Sequence, residues 1–510
     1  MKKRIFTTLL ILLTLLLLPG VAYAREGICG YEGGISSGEA ADKTKYTYQE
    51  VCFITGKPIV FSGDLTIKKS VKKDITSVTY SYSLANAEHK ATLIRTAVFD
   101  TTSEKRENGQ ITESAKKKSF AESIRIDGVT YTLIQPNGYD MTRSNLIDLQ
   151  PAVNYHSGSL WSKKVYQIGA ARDGSTVTVE CTGDFYGYDQ YWGNAECLTL
   201  NYDILCEKGT GNAKDSWGGT AEVKISSTST EELNYQENKP NEISFSGSYT
   251  QSRRNSNILE YTSMLPEFDS KGISTDNMIK YKDSLSIETF PAQRKLPTTD
   301  AANIRAHWAE KELRIMFGLE AFKAGGVYFE PDDYMSRAEF AYALVQIVKP
   351  VPEDPALSTK TVSRTNRKAS NEVIVSPFND VSIGNVYFPQ IKEAYERKLL
   401  NGNDNDNFRP NGTISRAEAI VAIVRALGFE KMAPTPVAVT SFRDNDIIPS
   451  YARNSAYIAQ KIGLLKSDSR GRMNPLEKLT KADVAFLLND LVEYLQDGIR
   501  KDYREAIVNY

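Results

Sequence analysis

Three short segments in the C-terminal half share an order of side chains suited to anion binding. Each has a hydroxyl residue, a cation, an alanine and an acid in succession: Ser336, Arg337, Ala338 and Glu339; Ser415, Arg416, Ala417 and Glu418; Thr480, Lys481, Ala482 and Asp483. A hydroxyl residue followed three residues later by an acid, ahead of an apolar run, predicts a capping box at a helix start. The cation then falls at the first helical position, where the helix dipole makes it mildly unfavourable unless an anion binds there.

The chemistry expected of such a position is a charge-assisted hydrogen bond to a carboxylate. Arg337 and Arg416 can each offer two parallel N–H donors, whereas Lys481 offers a compact point charge. The alternative is that these cations line a solvated surface or pair with a nearby acid. A single copy would favour that alternative, and the repetition favours ligand contact.

The elements that must position these cations are pairs of helices. Apolar residues stand seven and eleven residues after each cation, at Leu344 and Val348, Ile423 and Leu427, and Leu488 and Val492. These offsets lie on one face of a helix, so each box opens an amphipathic helix. A second helical stretch, a polar turn and a proline precede each box, and each unit therefore reads as helix, loop, helix.

The second unit, "FNDVSIGNVYFPQIKEAYERKLLNGNDNDNFRPNGTISRAEAIVAIVRALGF", closely resembles an S-layer homology (SLH) repeat, and the other two units are similar to it. The resemblance implies an all-α domain of three repeats that binds secondary cell-wall polysaccharide, typically through a sugar whose pyruvate ketal carries a carboxylate. The implied boundaries are 301–348 for repeat 1, 349–375 for a polar linker, 376–430 for repeat 2 and 440–497 for repeat 3.

The resemblance adds aromatic and acidic residues to the predicted polysaccharide site. The matching positions are Trp308, Tyr387, Tyr451, Asp380 and Asp444. An aromatic ring can stack on a sugar face, but burial in the core is an equal alternative for Trp308 and Tyr451. The second unit departs from the pattern, because valine holds the aromatic position and Tyr387 stands beside it. For the two aspartates, capping of the following turn is the stronger interpretation.

The N-terminus predicts export. Basic residues 2–4 precede the apolar run 5–18, and Ala22-Tyr23-Ala24 follows as a small-x-small cleavage site, so residues 1–24 read as a signal peptide. No later stretch approaches the roughly 20 apolar residues of a membrane-spanning helix. We therefore expect a secreted protein at the cell wall or S-layer of a Gram-positive-type bacterium, held there by its SLH repeats rather than by lipid.

The N-terminal half predicts a different fold. Residues 25–250 contain short alternating apolar segments separated by turns, which predicts an all-β domain, an antiparallel sandwich or barrel of unknown function and unknown partner. Residues 251–300 are polar and weakly patterned, which predicts a linker or extension. The fold class is therefore multidomain, all-β followed by all-α.

The chain has five cysteines, all in its first half: Cys29, Cys52, Cys181, Cys197 and Cys206. An exported protein can form disulfides. Candidates for pairing are Cys29, Cys52, Cys181 and Cys206, with Cys181 to Cys206 preferred if their strands are neighbours. The spacings match no zinc pattern, and the chain has only three histidines. No metal or other cofactor is predicted.

Composition and motifs exclude several functions. Lysine and arginine total 62 against 63 acidic residues, a net charge of -1 that does not support nucleic-acid binding. No serine-elbow, zinc-protease or phosphate-loop motif occurs, so the chain is predicted not to be an enzyme. The stretch "DFYGYDQYWGN" could bind a glycan, although packing against its own sheet is favoured. A wall-anchored carbohydrate-active enzyme and an adhesin or S-layer assembly subunit remain the alternatives to a structural or binding surface protein.

Overall fold

A computed structural model describes residues 33–37, 44–72, 75–170, 174–209, 215–236, 248–289, 293–298, 302–323, 329–351, 375–402, 406–436 and 438–508. Residues 33–298 of this set, here called the β half, form one sheet, and residues 302–508, the helical half, contain the helices. The predicted signal peptide, Cys29 and most of the predicted linker 349–375 lie outside the described residues.

The described strands of the β half follow one another as an antiparallel meander. They are Ile35–Ser36 (β1), Lys45–Cys52 (β2), Ile59–Lys72 (β3), Ile75–Asn86 (β4), Ala91–Lys105 (β5), Ile111–Ile126 (β6), Val129–Leu133 (β7), Tyr139–Leu149 (β8), Val153–Ile168 (β9), Thr176–Gln190 (β10), Gly193–Lys208 (β11), Asp215–Gln236 (β12), Ser248–Phe268 (β13), Ser274–Glu288 (β14) and Gln293–Lys295 (β15). Strands β7 and β8 both bridge β6 and β9. The expectation of an antiparallel all-β region is confirmed.

The sheet folds over one apolar core. The ring of Phe53, just after β2, lies 6.0 Å from the ring of Tyr202 on β11 and 5.7 Å from that of Tyr261 on β13. Strands near the start and the end of the meander therefore share buried side chains. Their alternation of buried and exposed residues is the pattern of a sheet with one face in a core.

Residues 251–300 were expected to be a linker or an extension; a linker is wrong for most of that length, because β13 and β14 continue the sheet there. The first half of β13 places polar residues at inward positions, including Arg253, Asn255 and Asn257, all of them buried. These residues remove the apolar alternation by which a strand is recognised, although the backbone pairing with β12 is unbroken.

The disulfide preferred from the sequence is also wrong. Cys181 on β10 lies opposite Tyr202, whereas Cys206 lies opposite Val177, and no disulfide joins the four described cysteines. The two cysteines are thus offset by four residues along neighbouring strands, roughly 13 Å at the rise of a β-strand. A disulfide requires Cα atoms within roughly 7 Å.

The helices of the helical half are short. They are Glu310–Gly318 (α1), Arg337–Ile347 (α2), Phe388–Glu396 (α3), Arg416–Leu427 (α4), Arg453–Lys461 (α5), Lys481–Glu493 (α6) and Ile499–Val508 (α7). A π-helical turn, Tyr494–Gly498, joins α6 to α7. None of the helices in the described residues is long and apolar enough to cross a membrane.

The residues just before α2, α4 and α6 form a closed ring of backbone hydrogen bonds. The N–H of Met335 donates to the carbonyl of Leu479, that of Leu479 to Ile414, and that of Ile414 to Met335, at 2.9, 3.1 and 3.0 Å. The three helix starts are therefore related by an approximate threefold arrangement, in which each unit is hydrogen-bonded to the other two.

The two halves share a core. Tyr155, Tyr188 and Trp192, from β9, β10 and the turn after β10, are buried with the apolar side chains of the helical half. The aromatic stretch around Trp192 thus packs against the helical half rather than only its own sheet. The two halves therefore meet in a continuous apolar core.

Candidate carboxylate-binding grooves of the helical half

Each capping box borders a groove between its own helix and the first helix of the next unit. Helix α2 packs on α3, α4 on α5, and α6 on α1. We call these groove 1, bordered by the Ser336 box, groove 2, bordered by the Ser415 box, and groove 3, bordered by the Thr480 box.

The predicted capping boxes are present in all three helices. In the second, the Ser415 N–H donates to Glu418 at 2.9 Å, and the Glu418 N–H donates back to the Ser415 hydroxyl at 3.4 Å. Ser336 with Glu339, and Thr480 with Asp483, form the same pair of bonds. One oxygen of each box acid is thus committed to a helix start.

Arg337 crosses from the first box to the second unit. Its guanidinium lies 2.5 Å from Glu418, donates through Nε to the carbonyl of Phe408 at 2.8 Å, and donates to the carbonyl of Asn401 at 3.1 Å. Its side chain is 12% exposed. Arg337 therefore joins two units, and its donors are occupied by the protein itself.

Arg416 and Lys481 make fewer contacts. Arg416 pairs through one terminal nitrogen with Glu477 at 2.5 Å, and its Nε is buried without a hydrogen-bond partner in the described part of the chain. Lys481 lies 3.4 Å from a carboxylate oxygen of Asp333 and 5.3 Å from the ring centre of Phe329. Arg416 thus has one donor, its Nε, that no described group of the protein accepts from.

One loop position explains the difference between the cations. The backbone N–H of Arg337, Arg416 and Lys481 donates to Gly412, Glu477 and Asp333 respectively, at 2.8, 2.9 and 2.9 Å. These three loop residues are equivalent, each standing three residues before a box hydroxyl. Where the position holds an acid, the cation pairs with it, and where it holds Gly412, Arg337 reaches Glu418 instead.

Groove 3 carries the most exposed aromatic pair of the grooves described. Trp308 is 61% exposed and Phe486 is 43% exposed, with ring centres 6.2 Å apart. The expected alternative of core burial is therefore wrong for Trp308. Phe486 was missed in the sequence, although it stands five residues after Lys481, at the helical offset that Tyr342 has from Arg337.

The aromatic residues of the other grooves are more occupied. In groove 1, Tyr387 lies 6.0 Å from Tyr342, and the Lys323 amine sits over both rings at 4.3 and 4.8 Å. In groove 2, Tyr451 is 53% exposed, so core burial is wrong for it too, and partial burial together with the charge of Glu418 raises the pKa of its phenol. Groove 3 thus has the two aromatic side chains with the clearest joint exposure, although the ring of His307 lies 5.5 Å from that of Trp308.

Asp380 and Asp444 shape loops. The two oxygens of Asp380 accept the N–H groups of Phe408 and Arg409, both at 2.7 Å. Asp444 accepts from Met473 and Asn474 in the same way, at 2.8 and 2.7 Å. These contacts agree with the turn-capping interpretation, and their contact with sugar stays a prediction.

The described residues hold no group of three or more histidine, cysteine, aspartate or glutamate side chains arranged to bind a metal. The groove residues described above offer hydrogen-bond donors, cations and aromatic rings.

Comparison with known proteins matches one of the three units to a protein family. Residues 377–420 match the family model of the S-layer homology domain, so the chain contains an SLH domain at its second unit. Such a domain indicates a protein anchored to the cell wall at the cell surface.

Three curated relatives are enzymes by name. The chain is 23% identical over 193 residues to an amylopullulanase of Thermoanaerobacterium thermosulfurigenes, 24% over 195 residues to exoglucanase XynX of Acetivibrio thermocellus, and 27% over 137 residues to an endoglucanase of Bacillus sp. (strain KSM-635). These matches cover 38%, 38% and 27% of this chain but only 9%, 16% and 14% of the relatives. The shared part is therefore a small portion of each relative.

Proposed function

We propose that the chain is an exported surface protein, held non-covalently to secondary cell-wall polysaccharide by three SLH repeats, which displays its β half for a structural or binding role. The match at the second unit supports the anchor. The closed hydrogen-bond ring among the three helix starts supports the extension to three repeats, because it relates the first and third units to the matched one.

Groove 3 is the proposed main contact with the polysaccharide. The unpartnered Nε of Arg416 is the observation that carries this proposal, since a buried donor without an acceptor is costly, and a ligand carboxylate that displaced Glu477 from the guanidinium would satisfy it. Arg416 lies beside the third box because its backbone bonds to Glu477, three residues before Thr480. In the proposed complex a sugar ring stacks on Trp308 and a pyruvate-ketal carboxylate pairs with Arg416.

The test uses the mature chain, residues 25–510, on isolated cell-wall sacculi with and without chemical removal of the polysaccharide. We expect retention that requires the polysaccharide and is weakened by Arg416→Ala. Arg425→Ala is the matched control, because Arg425 is similarly exposed on the same helix and pairs with Glu430 at 3.4 Å, away from the grooves. Retention that ignores the polysaccharide or Arg416 contradicts the proposal.

A second candidate is a wall-anchored carbohydrate-active enzyme. The names of the three relatives favour it, although the shared portion of those enzymes is small. Release of reducing sugar from starch, cellulose, xylan or wall polysaccharide by the full chain would support this candidate, and absence of release would remove it for those substrates.

A further inference from the structure

We propose that Glu477 and Asp333 are built-in competitors, which occupy Arg416 and Lys481 until a ligand carboxylate displaces them. Each box cation reaches the loop or box of the next unit, so Arg337 lies at groove 2, Arg416 at groove 3 and Lys481 at groove 1. Groove 2 has no such competitor, and its cation, Arg337, is held by contacts within the protein. This inference rests on the proposed function. It predicts that a ligand carboxylate can reach the cation in grooves 1 and 3, whereas the cation of groove 2 stays bound to the protein.

The exposures of the partners support displacement. The side chains of Glu477 and Asp333 are 50% and 62% exposed, while Arg416 and Lys481 are 28% and 19% exposed. The acid can therefore swing into solvent while the cation remains in the groove. An exposed ion pair contributes little net free energy, so its loss opposes ligand binding only weakly.

The competitor also explains why a cation is tolerated at each of these helix starts. An unpaired cation beside a helix N-terminus is unfavourable, and the loop acid compensates for it while the groove is empty. A neutral sugar cannot replace this charge, whereas a carboxylate can. The exchange therefore selects acidic over neutral sugars.

Groove 2 has neither a loop acid that competes for its cation nor a cation that a ligand can reach easily. Gly412 has no side chain to pair with Arg337, and Arg337 is instead engaged with Glu418 and two loop carbonyls. A ligand would have to break contacts between two units to reach it. The sequence signal is the residue three places before each box hydroxyl, an acid in two units and glycine in one.

The experiment is calorimetric titration of the mature chain with a synthetic pyruvate-ketal glycoside, and with its methyl ester as the uncharged probe. Glu477→Gln removes the competing charge and keeps the side chain's size. We expect it to tighten binding of the acid about two- to fivefold, the range that corresponds to an exposed ion pair. Binding of the methyl ester should not change. Glu430→Gln, which removes an acid paired with Arg425 outside the grooves, is the control and should have no effect.

The double variant Glu477→Gln with Arg416→Ala distinguishes competition from a general change of charge. If Glu477 acts through Arg416, its substitution has no effect once the arginine is gone. Tightening that persists without Arg416, or unchanged or weaker binding by Glu477→Gln alone, overturns the inference while leaving the anchor intact. A wild-type chain that binds neither the glycoside nor polysaccharide-bearing sacculi removes the proposed function, and the inference with it.

Discussion

The indole N–H of Trp192 donates a hydrogen bond of 2.9 Å to the backbone carbonyl of Ile347, the last residue of α2. Tyr155 donates in the same way to Leu427 at the end of α4, at 3.0 Å, and Gln190 donates to Leu495 just after α6. The last carbonyls of a helix have no partner within it. The β half thus completes the ends of α2 and α4 and also contacts the π-helical turn that follows α6.

This junction predicts that both halves unfold together. Trp192 is 1% exposed, so Trp192→Ala should lower the free energy of unfolding of the whole chain by about 3–5 kcal/mol. Trp308→Ala, which removes an exposed indole, should change it by no more than about 0.5 kcal/mol. Urea unfolding followed by far-UV circular dichroism and tryptophan fluorescence measures both. Two separate transitions, only one of them shifted by Trp192→Ala, would contradict a shared core.

Substitution of Arg337 should lower the free energy of unfolding more than substitution of Arg416. Arg337→Ala removes charge-assisted hydrogen bonds that join two units, and should cost about 1.5–3 kcal/mol. Arg416→Ala removes one exposed ion pair and should cost about 1 kcal/mol or less. Thermal or urea unfolding compares them. Equal costs would mean that Arg337 is not held as the structure shows.

The sequence predicted the grooves only in part. The capping boxes follow from local spacing, and Ser336, Ser415 and Thr480 all begin helices as expected. The partners of the cations cannot be predicted from local spacing, because Arg337 and Glu418 are 81 residues apart in the chain. Pairing between units depends on the closed ring of backbone bonds, which local patterns do not reveal.

The capping boxes themselves are open to a direct test. Ser415 is buried and its hydroxyl accepts the Glu418 N–H, so Ser415→Ala leaves that donor unpaired. The expected cost is about 1 kcal/mol, the usual value of an N-cap. Ser415→Thr keeps the hydroxyl and should recover much of the loss in urea unfolding. No difference between the alanine and threonine variants would argue against a stabilising cap.

A charged network inside the β half has no counterpart in the sequence prediction. Arg95 donates to both oxygens of Glu50, at 2.8 and 2.9 Å, and through Nε to Glu122. Lys164 and Tyr166 also contact Glu122, and these side chains are almost entirely buried. They come from β2, β5, β6 and β9, so only the folded sheet brings them together. The burial of the polar residues of β13 was likewise not predicted, because it too depends on how the folded sheet places them.

This network predicts a specific dependence of stability on acid. Burial alone would raise the pKa of Glu122, but the charges of Arg95 and Lys164 outweigh it and lower the pKa from 4.5 to about 2. The unfolded chain therefore takes up this proton first as the pH falls. The stabilisation is complete above pH 4.5 and is lost as the pH falls toward 2.

Arg95→Met should expose this dependence. The variant leaves two buried carboxylates without their main partner, and should lose about 3–5 kcal/mol at neutral pH. Its further loss between pH 4.5 and 3 should be smaller than that of the wild type, because the pKa of Glu122 is no longer lowered as far. Arg254→Met, at an exposed arginine near Glu232, is the control. Urea unfolding at several pH values measures the difference, and parallel curves for wild type and Arg95→Met would contradict it.

The aromatic pair of groove 3 gives the sharpest test of sugar contact. Trp308 and Phe486 are neighbouring, largely exposed side chains, so removal of one ring should weaken binding to polysaccharide-bearing sacculi without affecting the fold. Trp308→Ala should weaken it about two- to tenfold, the equivalent of an aromatic contact of about 0.5–1.5 kcal/mol, and Trp308→Phe should retain part of the binding. Tyr235→Ala removes an exposed ring from a comparable pair with Tyr249 in the β half, where the ring centres are 5.3 Å apart. Equal losses from Trp308→Ala and Tyr235→Ala would place the wall contact outside groove 3, whereas a loss confined to Trp308→Ala assigns that contact to the groove that also holds Arg416.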